Sequence, residues 1–541
     1  MIGYLGNGTI KDSSSNLNVE SINQDTGGLV GRIGNGNIDN CNAIGNVTGN
    51  NGDYAGGLVG NFQSGNISKS YATGNVYAAY SAGGLTGSFH GTNLSESYAA
   101  GDVTVGGIGN AGGLIGLSNG NSNILKCYAT GNVTATGSGD DVGGLIGWIF
   151  NGNISESYAA GNVNSVNNTG GLVGHISNTS ISNCSASGNV TGSGHSAGGL
   201  VGQFSVGNIS GSYTTGNVKS DTEAGGLIGL VGNIGVDISK CYTTGNVEAT
   251  TSDAGGLIGK AEKATISLSY VVGDVKATNY AGGLVGNFTG GVGSILDISN
   301  SLALNEKVEG ITNVGRVLGN VSVSGTPTIA SNVYAWENMT VTGTTDPTYD
   351  VSDVSSEQLW ELNPGQSGWS ALTAAGWKAN YYSSARSYDY RIPILKWQTA
   401  VLEEDASHLR YIRPGGNGGG GTGNASIVNN TTIAEGFESN GTGTILILEK
   451  VDSSNTSKKL TATFEIRDAS GNSFSPKMVY TTNQSGHTEK IYLTHGTTYM
   501  IYETNAPSGY QAIDDGIKIV INDDMTIQPV SGYNLTQNGG V

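Results

Sequence analysis

Proline is scarce in this chain, with eight residues in 541, and so are cysteines, basic side chains and long apolar runs. Each shortage excludes something. Few prolines beside ninety glycines, with no Gly-X-Y triplet running through the chain, exclude a collagen-like rod. Only 12% of residues are charged while 37% are hydrophobic, which is not the composition of a disordered chain. Lys and Arg number 24 against 42 Asp and Glu, a formal charge of −18, which argues against nucleic acid or an anionic membrane surface as partner. Between Met1 and Asn300 the only arginine is Arg32. No apolar run approaches the ~20 residues needed to span a bilayer, and no charged-then-apolar signal peptide opens the chain.

What is present in abundance is repetition. Ten copies of Gly-Gly-Leu-(Val, Ile or Thr)-Gly carry Leu29, Leu58, Leu85, Leu114, Leu145, Leu172, Leu200, Leu227, Leu257 and Leu284, spaced 27 to 31 residues apart. So steady a period means one supersecondary unit stacked many times. The fuller unit is seen in Asn66 to Val76 (NISKSYATGNV) and Asn153 to Val163 (NISESYAAGNV). Its apolar runs are short, rich in Val, Ile and Tyr, and bounded by Gly-Asn pairs, with no 3.6-residue spacing, so they read as strands. Each Gly-Asn reads as a corner where positive φ is cheap. Three short strands per repeat predict one turn of a parallel β-helix, rising about 4.8 Å per coil and about 50 Å over eleven coils. The opening MIGYLGNGTI aligns with LVGRIGNGNI from Leu29 to Ile38, so the expectation is a fragment that begins inside a repeat, with any targeting signal outside it.

Alternation sorts inside from outside. Taking Val76 as inward makes Gly74, Ala72 and Ser70 inward, and Tyr71, Thr73 and Lys69 outward. The slot of Lys69 also holds Asn40, Glu96, Lys126, Glu156, Asn183, Gly211, Lys240 and Leu268, a solvated ladder with alternating charge in its middle. Tyr71, Tyr98, Tyr128, Tyr158, Tyr213, Tyr242 and Tyr270 share one slot. Outward and stacked, they form either a packing ladder or an aromatic ribbon that binds sugars through ring faces; a bend between Ile67 and Ser70 leaves the inward assignment open. Cys41, Cys127, Cys184 and Cys241 share the slot of Ser70, Ser97, Ser157, Ser212 and Ser269, two or three coils apart. Two coils separate Cα atoms by about 9.6 Å, beyond the roughly 7 Å reach of a disulfide. They read as small, buried, serine-like residues, neither bridged nor clustered as a metal site. Asn-X-Ser/Thr triplets such as Asn46-Val47-Thr48 recur because the repeat contains them.

The motif GGLVG…GNISxSYATGNV resembles the GLUG repeat of large bacterial surface proteins, which include adhesins and some secreted peptidases. The pattern decays after Gly286, with VGRVLGN from Val314 to Asn320 as a degenerate copy. Trp336, Trp360, Trp369, Trp377 and Trp397 follow, in a segment that suits a cap over the terminal edge and resembles the one that closes GLUG arrays. An aromatic binding site is the alternative. Pro414 to Asn424 is a flexible linker spanning about 17–20 Å. From Thr444 the texture becomes alternating β segments that suggest a small sandwich. LEKVD at Leu448 to Asp452, FEIRD at Phe464 to Asp468 and the Tyr499 to Tyr510 stretch resemble the Cna-B, prealbumin-like domain of Gram-positive surface proteins. Many such domains form a lysine–asparagine isopeptide bond promoted by a buried acid. The resemblance assigns Lys450, Glu503 and Asn534, with Asn522 as second choice for the asparagine; desolvation would leave amine and carboxyl neutral for attack.

The expected fold class is therefore all-β: a parallel β-helix (β-solenoid) of about 28-residue coils, then a cap and a small β-sandwich. The domains expected are 1–300 for the GLUG array, 301–412 for a degenerate last coil and Trp-rich cap, 413–443 for the linker and 444–541 for the Cna-B-like module. No His is followed by Glu as HExxH requires, and the densest acidic spot in the array, Asp140-Asp141, has no basic companion nearby in sequence. The functional expectation is a non-catalytic cell-surface adhesin or stalk from a Gram-positive bacterium, extracellular, with signal and anchor outside this stretch. Its ligand would be a host or cell-surface glycan or protein, with no nucleic acid, membrane insertion, metal or cofactor. The alternative is a carbohydrate-active β-helix, lyase or glycosidase-like, acting on polysaccharide.

Overall fold

The computed structural model describes residues 1–354, with breaks at 23–24, 51–53, 138–140, 292, 323–326, 331 and 346. Beyond 354 it describes a set of strands between 377 and 529, together with Ala462. Two compact units result, Met1–Trp377 and Lys378–Val541. Among the described residues there is no α-helix, and a single 3-10 turn spans Pro347–Tyr349.

The first unit is a parallel β-solenoid. Each coil contributes four walls, not three strands. In one coil these are a long wall (Val59–Phe62 and Gly65–Ser68), a tyrosine wall (Tyr71–Ala72), a valine wall (Val76–Ala78) and an Ala-Gly wall (Ser81–Gly83). Successive coils pair in register, Tyr71 with Tyr98, Val76 with Val103 and Ala82 with Ala111, all parallel. The Ala-Gly wall has eleven strands, the valine wall twelve and the tyrosine wall thirteen, so eleven full coils are followed by a partial twelfth, with its valine-wall strand at Thr340–Thr342, and by one further tyrosine-wall strand at Ser352–Val354. The strand that the three-strand reading leaves out is the Ala-Gly one, too short and too poor in β-branched residues to be read as a strand.

Burial follows the expected alternation. Ser70, Ala72, Gly74 and Val76 are buried while Lys69 and Asn75 are exposed. The core, however, has two lobes. One lobe joins the long and tyrosine walls through Leu58, Val59, Phe62, Ile67 and Ala72; the other joins the valine and Ala-Gly walls through Val47, Ala55, Val76, Ala78 and Ala82. The Gly-Gly-Leu-Val-Gly motif makes the pinch between them. A Cβ on Gly57 would lie 2.7 Å from the Cβ of Ala72 on the facing wall and collide with the carbonyl of Gly84. A Cβ on Gly56 would collide with the carbonyl of Val59 and sit 2.7 Å from the Gly87 amide. Gly60 packs equally tightly on the backbone of Asp25 and Thr26. The motif is thus a close-approach device, and the leucine fills the lobe behind it.

The corners correct the sequence reading. The Gly-Asn before each valine (Gly74-Asn75 and its equivalents) does not use positive φ. Gly74 is needed because a Cβ there would strike the carbonyl of Gly45, one coil below. Its asparagine staples coils: the Asn75 amide donates to Asn46 Oδ1 at 2.9 Å, Asp102 to Asn75 at 2.9 Å and Asn132 to Asp102 at 2.7 Å, continuing to Asp274. Left-handed backbone sits instead at the Lys69 slot. Asp12, Asn40, Lys69, Glu96, Lys126, Glu156, Asn183, Lys240, Leu268 and Asn300 all have φ between 46° and 55° there, and Gly211 has 58°. Of the Gly-Asn pairs in a coil, it is the one before the isoleucine in which glycine takes positive φ, as at Gly65 (113°) and Gly207 (144°).

The cysteines are free and buried. Their slot carries a hydrogen bond between coils: the Cys41 amide donates to Ser70 Oγ at 3.0 Å, and that of Cys184 to Ser212 Oγ at 3.1 Å. Burial pushes the thiols of Cys127, Cys184 and Cys241 up to about 12.

In the second unit an antiparallel five-stranded sheet takes the order Ser473–Thr481, Thr463–Asp468, Thr497–Asn505, Ile517–Ile521, Ile527–Pro529. Ala462, Phe464, Ile466 and Ile501 are buried on it. The Glu465 carboxylate, also buried, accepts from Arg467 Nε and Nη2 at 3.0 and 2.7 Å. The linker expected around Pro414 to Asn424, and most of the Trp-rich segment, lie outside the described residues; Trp336 is described and is buried in the strand Tyr334–Trp336.

Candidate binding groove

Tyr71, Tyr98, Tyr128, Tyr158 and Tyr213 lie half-buried on the outer side of their wall, the side that alternation alone left open, and the ladder does not offer ring faces. Tyr71, Tyr98, Tyr128 and Tyr158 stack at centroid spacings of 4.9, 4.7 and 4.9 Å with interplanar angles of 2° to 4°. Tyr213, Tyr242 and Tyr270 form a second stack at 5.0 Å, separated from the first by Ser185, the register partner of both Tyr158 and Tyr213. Each interior ring has both faces against its neighbours, and Tyr242 and Tyr270 are fully buried. Burial, followed by the neighbouring Tyr128 and Tyr71, pushes the Tyr98 phenol up to about 12. The geometry is that of a packing ladder, with ring edges as its outer surface.

Of the isopeptide candidates, Lys450 and Asn534 lie outside the described residues. The backbone of Glu503 is placed in the strand Thr497–Asn505, paired with Phe464.

The surface that the fold creates lies elsewhere. The pinch at Gly56 and Gly60 turns the outer sides of the Ala-Gly wall and the long wall toward one another, and the residues just beyond the glycines line a groove. From the long wall the column runs Arg32, Asn61, Ser88, Leu117, Trp148, His175, Gln203, Leu230, Lys260, Asn287 and Asn320, in continuous register, with Asn61, Ser88, Asn287 and Asn320 buried in its floor and the rest open to solvent. The Ala-Gly wall supplies acids and amides opposite, among them Asp141, Asn168, Glu223 and Asp253.

Contacts across the groove are polar. Lys260 Nζ lies 3.7 Å from Glu223 Oε1, and Arg32 Nε lies 3.9 Å from Asp25 Oδ2. Asn287 Nδ2 donates to the buried Asp253 at 2.9 Å, and burial raises the carboxyl of Asp253 above its ordinary range. At the centre His175 Nδ1 is 3.5 Å from Asp141 Oδ2, while its Nε2 is 3.3 Å from Ser205 Oγ and 3.5 Å from Ser177 Oγ. Asn168 Nδ2 holds the other oxygen of Asp141 at 2.8 Å and is itself held by Ser196 Oγ at 2.9 Å. Asp141 has no basic companion nearby in sequence, but it has an imidazole beside it in space. Its imidazole partner lies in a coil further along, brought near only by stacking. Ser205 sits where the register to the next coil shifts, a bulge that re-aims its side chain.

Trp148 flanks this centre, its ring 6.5 Å from the imidazole and 6.2 Å from Phe150. Its Nε1–H is buried and unpartnered. Sequence reasoning missed the whole column, although its signal was available: it is the residue after the third glycine of each motif. Among the described residues no group of three His, Cys, Asp or Glu is placed to hold a metal ion.

Comparison with known families agrees with the architecture. The chain carries the GLUG motif at residues 22–48, 51–77 and 165–191 and a prealbumin-like fold domain at residues 444–534. No curated protein matches the chain. Among solved structures, a chain provisionally assigned as an immunoglobulin A1 protease from Bacteroides ovatus is similar at 17% identity, over 50% of this chain and 86% of that one, with a TM-score of 0.32. GLUG motifs followed by a prealbumin-like domain fit a surface or adhesin-like protein.

Proposed function

We propose that this chain is the displaying part of a non-catalytic, extracellular adhesin or stalk that presents the groove to a glycan or protein on a host or neighbouring cell. One observation carries the reading. Inward positions repeat almost unchanged from coil to coil, and so does the tyrosine slot. The groove column instead runs Arg, Asn, Ser, Leu, Trp, His, Gln, Leu, Lys, Asn, Asn. A position that the repeat leaves free, in a concave strip of continuous register, is where a stacked array can encode recognition. The prealbumin-like module supports attachment to a Gram-positive cell wall.

The line Asp141–His175–Ser205 favours a second reading, acid–base chemistry on a bound polysaccharide. Incubating the full chain with immobilised cells and with soluble polysaccharides, while assaying for reducing ends and unsaturated products, separates the two. Saturable retention without product is the expected result. Product released by the wild-type chain and abolished in His175→Gln would overturn the scaffold reading.

A further inference from the structure

Resting on that reading of the groove, we propose that the rung of Trp148 is a subsite for a neutral, hydroxyl-rich ligand, a glycan without acidic substituents. Trp148 is the one tryptophan of this chain that precedes Trp336. Between Arg32 and Asn320 it is also the only Trp, Tyr or Phe in the groove column. Phe150, two residues on and so on the same side of the strand, is 41% exposed, with its ring tilted 35° to the indole. Two large rings on the outer side of a wall whose other outward column residues, Leu117 and Leu230 apart, are polar give up burial that the core could have used, which calls for a functional reason. Unlike the stacked tyrosines, these rings do not sit face to face, so they leave area for the C–H face of a sugar.

The polar groups beside the rings decide the ligand class. The Asp141 carboxylate is locked in place by Asn168 and His175, and a carboxylate accepts hydrogen bonds only. Any ligand group that reaches its remaining exposed edge must therefore be a hydroxyl or amide donor. The Trp148 Nε1–H is buried and closed to solvent, so a ligand meets the ring and not its N–H. Hydroxyls that donate to Asp141 while a C–H face lies on the rings supply both contacts at once. An apolar peptide side chain would match the rings but bring no donor to Asp141. A sulfated or carboxylated sugar would meet Asp141 on a chain of net charge −18.

The test is a glycan array probed with the full chain, using neutral gluco-, manno-, galacto- and N-acetylglucosamine oligomers beside their sulfated and sialylated counterparts. Wild type is expected to retain at least one neutral series and none of the anionic ones. Trp148→Ala, and separately the exposed Phe150→Ala, should weaken retention at least tenfold, and Asp141→Asn several-fold. Tyr98→Phe in the tyrosine ladder should leave it unchanged. Each variant is compared at matched circular dichroism and Tm, so loss of fold is seen separately. Retention of anionic glycans only, or of none, overturns the inference; so does a neutral glycan bound equally by Trp148→Ala and Phe150→Ala. Retention on cells that survives such a result would leave the display reading standing with a protein ligand.

Discussion

At the residue scale, the array keeps side chains where their intrinsic preferences are poor. Ten non-glycine residues occupy the left-handed corner, among them Glu96 at 49°. An ordinary L-residue there costs about 1–2 kcal/mol, and asparagine tolerates the region best after glycine. Glu96→Asn, at an exposed site, is expected to raise stability by about 1 kcal/mol in urea titration. The thiols give a chemical readout. With thiol values pushed to about 12 for Cys127, Cys184 and Cys241, almost no thiolate exists at pH 8. Native protein should resist alkylation at these three sites, with full reaction on denaturation. Asp253 carries a pH signature. Burial raises its folded value, so both states are neutral below the unfolded value. The unfolded state ionises first as pH rises, and stability falls until the folded group ionises too. The Tm difference, Asp253→Asn minus wild type, should therefore be more favourable to the variant at pH 7 than at pH 3.

At the element scale, each wall repeats one interaction. The long wall adds an amide ladder on its outer side, Asn66 to Asn37, Asn93 to Asn66 and Asn123 to Asn93, at 2.7 to 3.2 Å. The valine wall alternates charge late in the array, where Glu248 lies 3.0 Å from Lys219 and 3.7 Å from Lys276. These pairs are largely exposed and contribute little. The tyrosine wall contributes more. Tyr98 touches a ring on each side at 4.9 and 4.7 Å, whereas Tyr71 meets Asn42 on one side. Stacked aromatic pairs are worth about 0.5–1.5 kcal/mol beyond buried area. Tyr98→Ala is thus expected to cost roughly 1 kcal/mol more than Tyr71→Ala, measured as the difference in chemical unfolding free energy.

At the scale of the whole molecule, the solenoid is a one-dimensional stack in which each coil is held by the coils beside it. Gly144 lies in a middle coil, where a Cβ would meet the Ala159 Cβ at 2.9 Å and the Gly171 carbonyl. Gly144→Ala cannot be absorbed locally. Its loss should lower the Tm of the entire array transition rather than split off a small phase, as followed by circular dichroism. Whether function resides in this stack is a matter of which positions the stack leaves free, and the groove column is where it leaves most.

The sequence by itself determined the period, the inward set and the separation of the cysteines. A parallel stack copies each coil onto the next, so spacing along the chain becomes position along the axis. The sequence placed the tyrosines in one slot but left their side open, because the bend between Ile67 and Ser70 breaks the alternation. What it could not reveal depends on distances between walls. The two-lobed core comes from glycines meeting backbone across a pinch, and no periodicity records which wall a glycine faces. The loss of ring faces comes from the spacing of stacked coils, close to the thickness of an aromatic pair. The pairing of Asp141 with His175 joins residues in different coils and different walls, so neither alternation nor the repeat places them together. Only the folding of the two walls toward one another, set by Gly56, Gly57 and Gly60 and their equivalents, decided that this column is a groove and not one more solvated face.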